Sequence, residues 1–135
     1  MCHLLGIESE AELQRSPFLG AIFEGFIAAE LAKSQLHRGL RREIYYFRDQ
    51  QGLEVDFVVP RKRHVLELIE AKATRTPTPA MIKNLVRLRD ALAAHDAKRG
   101  VQMTVVHRPA RGGSAATGLG EGGQAVPLPA WLAAL

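Results

Sequence analysis

Cysteine is almost missing from this 135-residue chain: Cys2 stands alone. One thiol excludes an internal disulfide. With His3, His37, His64, His95 and His107 scattered and none at ligand spacing, a finger-type zinc centre is excluded as well. A reducing, cytoplasmic setting suits such a chain. No apolar run reaches the roughly 18 residues that cross a bilayer, and no signal peptide is visible, so no membrane association is expected. The phosphate-binding pattern G-x-x-x-x-G-K-[ST] is absent too, so the chain carries no P-loop ATPase of its own. Gly118, Gly120 and Gly123 do satisfy G-x-G-x-x-G by spacing. A dinucleotide site would need a helix directly after them, and Ala125-Val126-Pro127-Leu128-Pro129 offers none.

What is present is an ordinary globular mixture. Hydrophobic residues make up 47% and charged residues 24%, with a formal net charge of +4. The length suits one domain with a real core. The mild positive charge is compatible with a polyanionic partner without requiring one.

Met1 to Ser16 is a polar-apolar lead in which Leu4 to Ile7 ends a short helix or turn and Glu8 to Gln14 forms another. Ser16-Pro17 is a helix start, and the pattern predicts a helix from Phe18 to His37 with Gly39 just beyond it. Phe18, Ile22, Phe23, Phe26, Ile27 and Leu31 cover most of its circumference, which predicts burial on several sides. Glu24 within that run then either has a partner or a metal, or lies on a narrow solvent-facing stripe. Glu43–Arg48, Leu53–Val59 and His64–Ala73 are predicted strands. Pro60 is expected to end the second, with Arg61-Lys62-Arg63 as a solvated turn. Thr78-Pro79 opens a helix over Met81–Arg99 that Gly100 ends, and Val101–His107 is a fourth strand. Pro109 to Gln124 is expected to be a flexible glycine-rich loop. Ala125 to Leu128 follows as a short edge strand, then a terminal helical turn anchored by Trp131. The crossover through Met81–Arg99 requires a parallel strand pair, hence an α/β fold with a mixed central sheet flanked by helices.

The chemistry lies in Leu53–Lys72. Strand alternation puts Asp56 on a face with Glu54 and Val58, and Glu70 and Lys72 on a face with Leu66 and Leu68. Phosphodiester hydrolysis needs a metal that activates water and neutralises phosphate charge, and Mg²⁺ takes hard oxygen ligands. Asp56, Glu70 and the backbone carbonyl of Ala71 are candidate ligands for Mg²⁺, or Mn²⁺ in its place. Lys72 is positioned to hold the nucleophile or the transition-state charge, and Glu24 to assist from its helix. The bland alternative for Asp56, Glu70 and Lys72 is an ion pair across a hairpin.

The order helix, three strands, helix, strand, with Glu24, Asp56 and Glu70-Ala71-Lys72 in those places, resembles the PD-(D/E)XK nuclease fold. That resemblance implies a restriction-endonuclease-like αβββαβ core. The phrases GAIFEGFIAAEL, IYYFRDQQGLEVDFVV and LELIEAKAT look like the DUF4143 domain, which usually follows an AAA-type ATPase domain in bacterial and archaeal proteins. The proline of the "PD" pair is absent, since Val55 precedes Asp56. With no ATPase domain present, residues 1–135 are expected to be a stand-alone or truncated C-terminal domain.

Two functions follow as expectations. One is a metal-dependent nuclease-like domain acting on DNA, with Arg48, Lys62, Arg75 and Lys83 as candidate phosphate contacts. The other is a catalytically inactive module for DNA binding or protein interaction, working with an ATPase, in which Leu4 to Ile7 contribute to a partner interface. A gene remnant that still folds is a third alternative.

Overall fold

Ser9 begins the first helix of the computed structural model, which describes residues 2–62, 64–110 and 115–135. A 3-10 turn over Cys2–Leu5 precedes helix α1, Glu10–Arg15. The Ser9 hydroxyl accepts from the Glu12 amide while the Glu12 carboxylate accepts from the Ser9 amide, a reciprocal cap for a helix otherwise too short to satisfy its own donors. Helix α2 spans Leu19–His37, within one residue of the range the sequence predicts.

Packing of α2 departs from expectation. Only Phe23, Ile27, Leu31 and Gln35 are buried, a single stripe at four-residue spacing. Phe18, Phe26 and Leu36 stay 50%, 41% and 60% exposed. The sheet takes one side of α2, and the short α1 is too small to cover the rest.

The strands are β1 Tyr45–Arg48, β2 Glu54–Arg61, β3 Val65–Lys72, β4 Gly100–His107, β5 Thr117–Gly120 and β6 Gly123–Pro127. They form one mixed sheet in the order β1-β2-β3-β4-β6-β5. β1, β2 and β3 are successively antiparallel, and helix α3, Lys83–His95, crosses over to bring β4 parallel to β3. Helix α4, Leu128–Ala134, closes the chain. Two apolar layers result. Val55, Leu68, Leu85, Met103 and Val105 pack on the α3 side. Phe23, Ile27, Phe57, Ile69, Val106 and Trp131 pack on the α2 and α4 side. Trp131 is thus the anchor of the terminal helix that the sequence predicts.

Four boundaries are corrected. Pro60 does not end its arm: it pairs in register with Leu66 inside β2. It lies past Val58, the last β2 residue with a register partner in β1, so the strand is an edge there and tolerates proline. The turn residue Arg63 lies outside the described residues. α3 stops at His95, and Gly100 opens β4 instead of closing the helix. The predicted loop over residues 109–124 contains a β-hairpin, apart from residues 111–114, which lie outside the described residues. Glu121 and Gly122, with φ of 49° and 77°, form its two-residue turn, the positive-φ geometry that matches strand twist. β6 is consequently an inner strand between β4 and β5, and β5 is the edge.

Candidate functional site

The chemistry of β2 depends on an irregularity. Tyr45 pairs with Val58 and Phe47 with Val55, so two β2 residues, Asp56 and Phe57, lie opposite one in β1, Tyr46. This bulge inserts an extra residue near Asp56. Val55 and Phe57 would share a face under strict alternation, yet they pack in opposite apolar layers. The predicted common face for Glu54, Asp56 and Val58 therefore fails at Asp56. Its carboxylate instead lies toward the edge of β3, where Oδ2 accepts a 2.8 Å hydrogen bond from the Ala71 amide. The β2–β3 register ends at Phe57–Ile69, so the side chain takes over as acceptor where the paired backbone stops.

Glu70 and Lys72 are two residues apart on β3 and meet directly: Lys72 Nζ lies 2.5 Å from Glu70 Oε1. Glu70 is buried, and its Oε2 is buried without a hydrogen-bond partner among the described residues. Desolvation raises the Asp56 carboxyl above its usual range, although the Ala71 amide and Lys72 pull the other way. Desolvation likewise raises Glu70, against the hydrogen bond from Lys72, and the Asp56 charge adds to the rise. Burial pulls the Lys72 ammonium down, but the Glu70 hydrogen bond and the charges of Glu70, Asp56 and Glu24 outweigh it, leaving Lys72 raised. A lone ion pair would lower its carboxylate. Here burial raises Glu70 despite its pairing, while the acids around Lys72 raise the ammonium.

Glu24 is exposed on α2, so the solvent-facing alternative describes its position. It still belongs electrostatically to the group. Partial desolvation, then the charges of Asp56 and Glu54, raise its carboxyl. Glu54 is the neighbour that strand patterning did not single out as a site residue. Its carboxylate accepts from the Tyr46 hydroxyl, and its backbone carbonyl accepts from Asn84 Nδ2 at 3.1 Å, tying the start of α3 to this end of β2.

The four candidate cations are split. Arg48 pairs in register with Glu54, Arg75 follows β3 by three residues, and Lys83 precedes Asn84, so all three lie toward the carboxylate end. Lys62 sits past the far end of β2, six residues from Asp56, about 20 Å along an extended strand.

His107 is a further group that a lone strand histidine could not announce. It is buried beside Lys72 in the β3–β4 register. Nδ1 lies 2.7 Å from the Arg108 carbonyl, which can only accept, so that nitrogen carries the proton. Nε2 is buried and has no hydrogen-bond partner among the described residues.

Among the described residues, no three His, Cys, Asp or Glu side chains form a ready-made metal cluster. The donor set nevertheless fits a hard cation. Asp56 and Glu70 supply carboxylate oxygens, one of them orphaned, in a group of acids opposed by one lysine.

Fold and site together define an α/β domain that gathers acidic side chains and one lysine at an interrupted strand pair. The family model "Domain of unknown function (DUF4143)" matches residues 19–131, and the chain belongs to that family. It is 39% identical over 75 residues to the uncharacterized protein Rv2008c of Mycobacterium tuberculosis, covering 56% of this chain and 16% of that protein. The uncharacterized protein Mb2031c of Mycobacterium bovis is similar to the same extent. The chain thus spans about one sixth of the length of the curated relatives it matches. No solved structure matches it significantly. Among the described residues, no helix is long and apolar enough to cross a membrane.

Proposed function

We propose that this domain is a metal-dependent nuclease-like module with a restriction-endonuclease-like, PD-(D/E)XK core, acting on DNA phosphodiesters in the cytoplasm. The observation that carries this is the Asp56–Ala71 hydrogen bond, which draws the β2 carboxylate to the strand bearing Glu70 and Lys72. Asp56, Glu70 and the Ala71 carbonyl would hold Mg²⁺ or Mn²⁺, which when bound supplies charge neutralisation and a more acidic water. Lys72 provides an ammonium that stays protonated across neutral pH, suited to charge building on a phosphate. Glu24, with its raised carboxyl, is suited to accept a proton from water on the α2 side.

The test is cleavage of plasmid and linear DNA with Mg²⁺ or Mn²⁺, beside Lys72→Ala. Activity in the wild type that disappears in the variant supports the proposal. Absence of cleavage on both substrates with either metal sinks it.

A second reading rests on a different observation. Leu4 is 87% exposed, and Phe18, Phe26 and Leu36 along α2 are exposed apolar side chains. These residues suit a nuclease-fold module that has lost catalysis and binds protein, with an AAA-type ATPase as the partner. Binding to such an ATPase that Leu4→Ser and Phe26→Ser weaken, without cleavage, would favour it.

A further inference from the structure

We propose that the hairpin end of the sheet, opposite the carboxylates, is a second surface for the DNA phosphate backbone, built from Arg38, Arg41 and Lys62. The choice of DNA as the polyanion rests on the nuclease-like reading above; the surface itself rests on charge placement.

Charge is segregated along the strands. Glu24, Glu54, Asp56 and Glu70 gather at one end, where Arg48, Lys72, Arg75 and Lys83 offset them, whereas the hairpin end has few acids to offset its bases. Two basic segments far apart in sequence, Arg38–Arg42 and Arg61–Lys62, come together at the other end. They line one groove of ≈ 460 Å³ in which Arg38, Arg41, Arg61 and Lys62 face a single carboxylate, Glu43. Arg61 is committed to Glu67 at 2.5 Å. Arg38, Arg41 and Lys62 make no ion pair among the described residues.

The segment after α2 is built, not merely basic. The Leu40 amide donates to the Gln35 carbonyl at 2.9 Å and the Gly39 amide to Leu36 at 3.0 Å, with Gly39 at φ 66°. That is a Schellman closure of the helix. The buried Gln35 side chain then clamps Glu43 through both its amide and carbonyl, at 2.8 and 3.1 Å. Arg38 and Arg41 therefore stand on a backbone pinned at both ends, which lowers the ordering cost of binding. Arginine forks suit phosphate oxygens. A neighbouring groove lined by Pro60, Arg61, His64 and Arg99 adjoins it, with Arg61 paired to Glu67 and Arg99 to Asp96.

The experiment is fluorescence anisotropy of a short labelled DNA duplex in EDTA, titrated at several salt concentrations. The triple variant Arg38→Ala, Arg41→Ala, Lys62→Ala should lose at least about 10-fold in affinity and flatten the log–log salt slope by up to about 2.7. A charge-matched triple, Arg15→Ala, Lys33→Ala, Arg87→Ala, should change affinity by less than about 3-fold. Arg41→Gln, the milder change, should fall between them and guards against a misfolded triple. That pattern in a protein that cuts no DNA would keep the surface and discard the nuclease reading. Equal losses in the two triples, no duplex binding by the wild type, or preference for phosphatidylserine vesicles over duplex would each overturn the proposal.

Discussion

The Asp56 carboxylate hydrogen-bonds the Ala71 amide at 2.8 Å, joining two strands where their paired register has ended. A side chain at a bulge thus does the work of a backbone carbonyl, and it brings its charge beside Glu70. Asp56→Asn keeps an acceptor for the amide and removes the charge. Asp56→Ala removes both. Asp56→Asn is expected to be the more stable of the two by about 1–2 kcal/mol in urea denaturation, the usual cost of an unsatisfied amide. Ala71 should also exchange its amide proton faster in Asp56→Ala alone. Equal stability and equal exchange would show that the bond contributes nothing.

The same crowding sets a pH dependence. Asp56 and Glu70 have folded-state pKa values above their ordinary 3.8 and 4.5, chiefly through desolvation. Between the ordinary and the raised value the folded chain binds more protons than the unfolded one. Stability from these groups is therefore complete below the ordinary value and is lost as pH rises through the raised one. Metal-free protein should show a falling Tm contribution over that window, and Glu70→Gln should flatten it. Mn²⁺ should raise Tm above the window and do so less below it, where protons compete for the same oxygens. A Tm insensitive to Mn²⁺ at every pH would argue against a cation between these carboxylates.

Much of this arrangement was legible because it is written in periodicity and punctuation. Asp56, Glu70 and Lys72 stand out as charges in strand-like apolar runs, and the crossover from β3 through α3 to β4 follows from helical spacing between two strands. Three features were hidden for physical reasons. A bulge has no signature in alternation, so the true direction of Asp56 could not be read. Apolar spacing on α2 reports which residues favour burial but not how much partner surface exists, so Phe18 and Phe26 were expected inside. Gly118 to Gly123 suggested a loop because glycine disfavours strands, whereas Gly122 serves the positive-φ turn of a hairpin that Leu119 fastens to the core.

Gln35 links fold to surface. It is buried, and its two hydrogen bonds to the Glu43 backbone hold the path from α2 to β1. Gln35→Ala leaves the Glu43 amide and carbonyl without those partners, and because water can reach the exposed Glu43 the cost is about 1 kcal/mol in chemical denaturation. Gln35→Glu keeps the acceptor for the Glu43 amide but replaces the donor, and should recover about half of that loss. If both variants match the wild type, the clamp is dispensable.

Lys72 and Glu70 test whether the site is a settled ion pair or a strained one. The Glu70 side chain is 8% exposed and that of Lys72 40%. Lys72→Ala strands a buried carboxylate whose other oxygen has no hydrogen-bond partner among the described residues. The expected cost at pH 8 is about 1–3 kcal/mol, below that of a fully buried pair because water reaches the lysine. Without the ammonium, Glu70 should rise further, so acidification to pH 5 neutralises it more readily and shrinks the penalty. Glu70→Gln alone should be near neutral or stabilising, since it removes a desolvated charge. The double variant should then be more stable than Lys72→Ala by at least about 1 kcal/mol, a coupling that a double-mutant cycle reads directly. Additive effects at both pH values would mean that the two charges do not sense each other. In that case the raised Lys72 has another origin than Glu70.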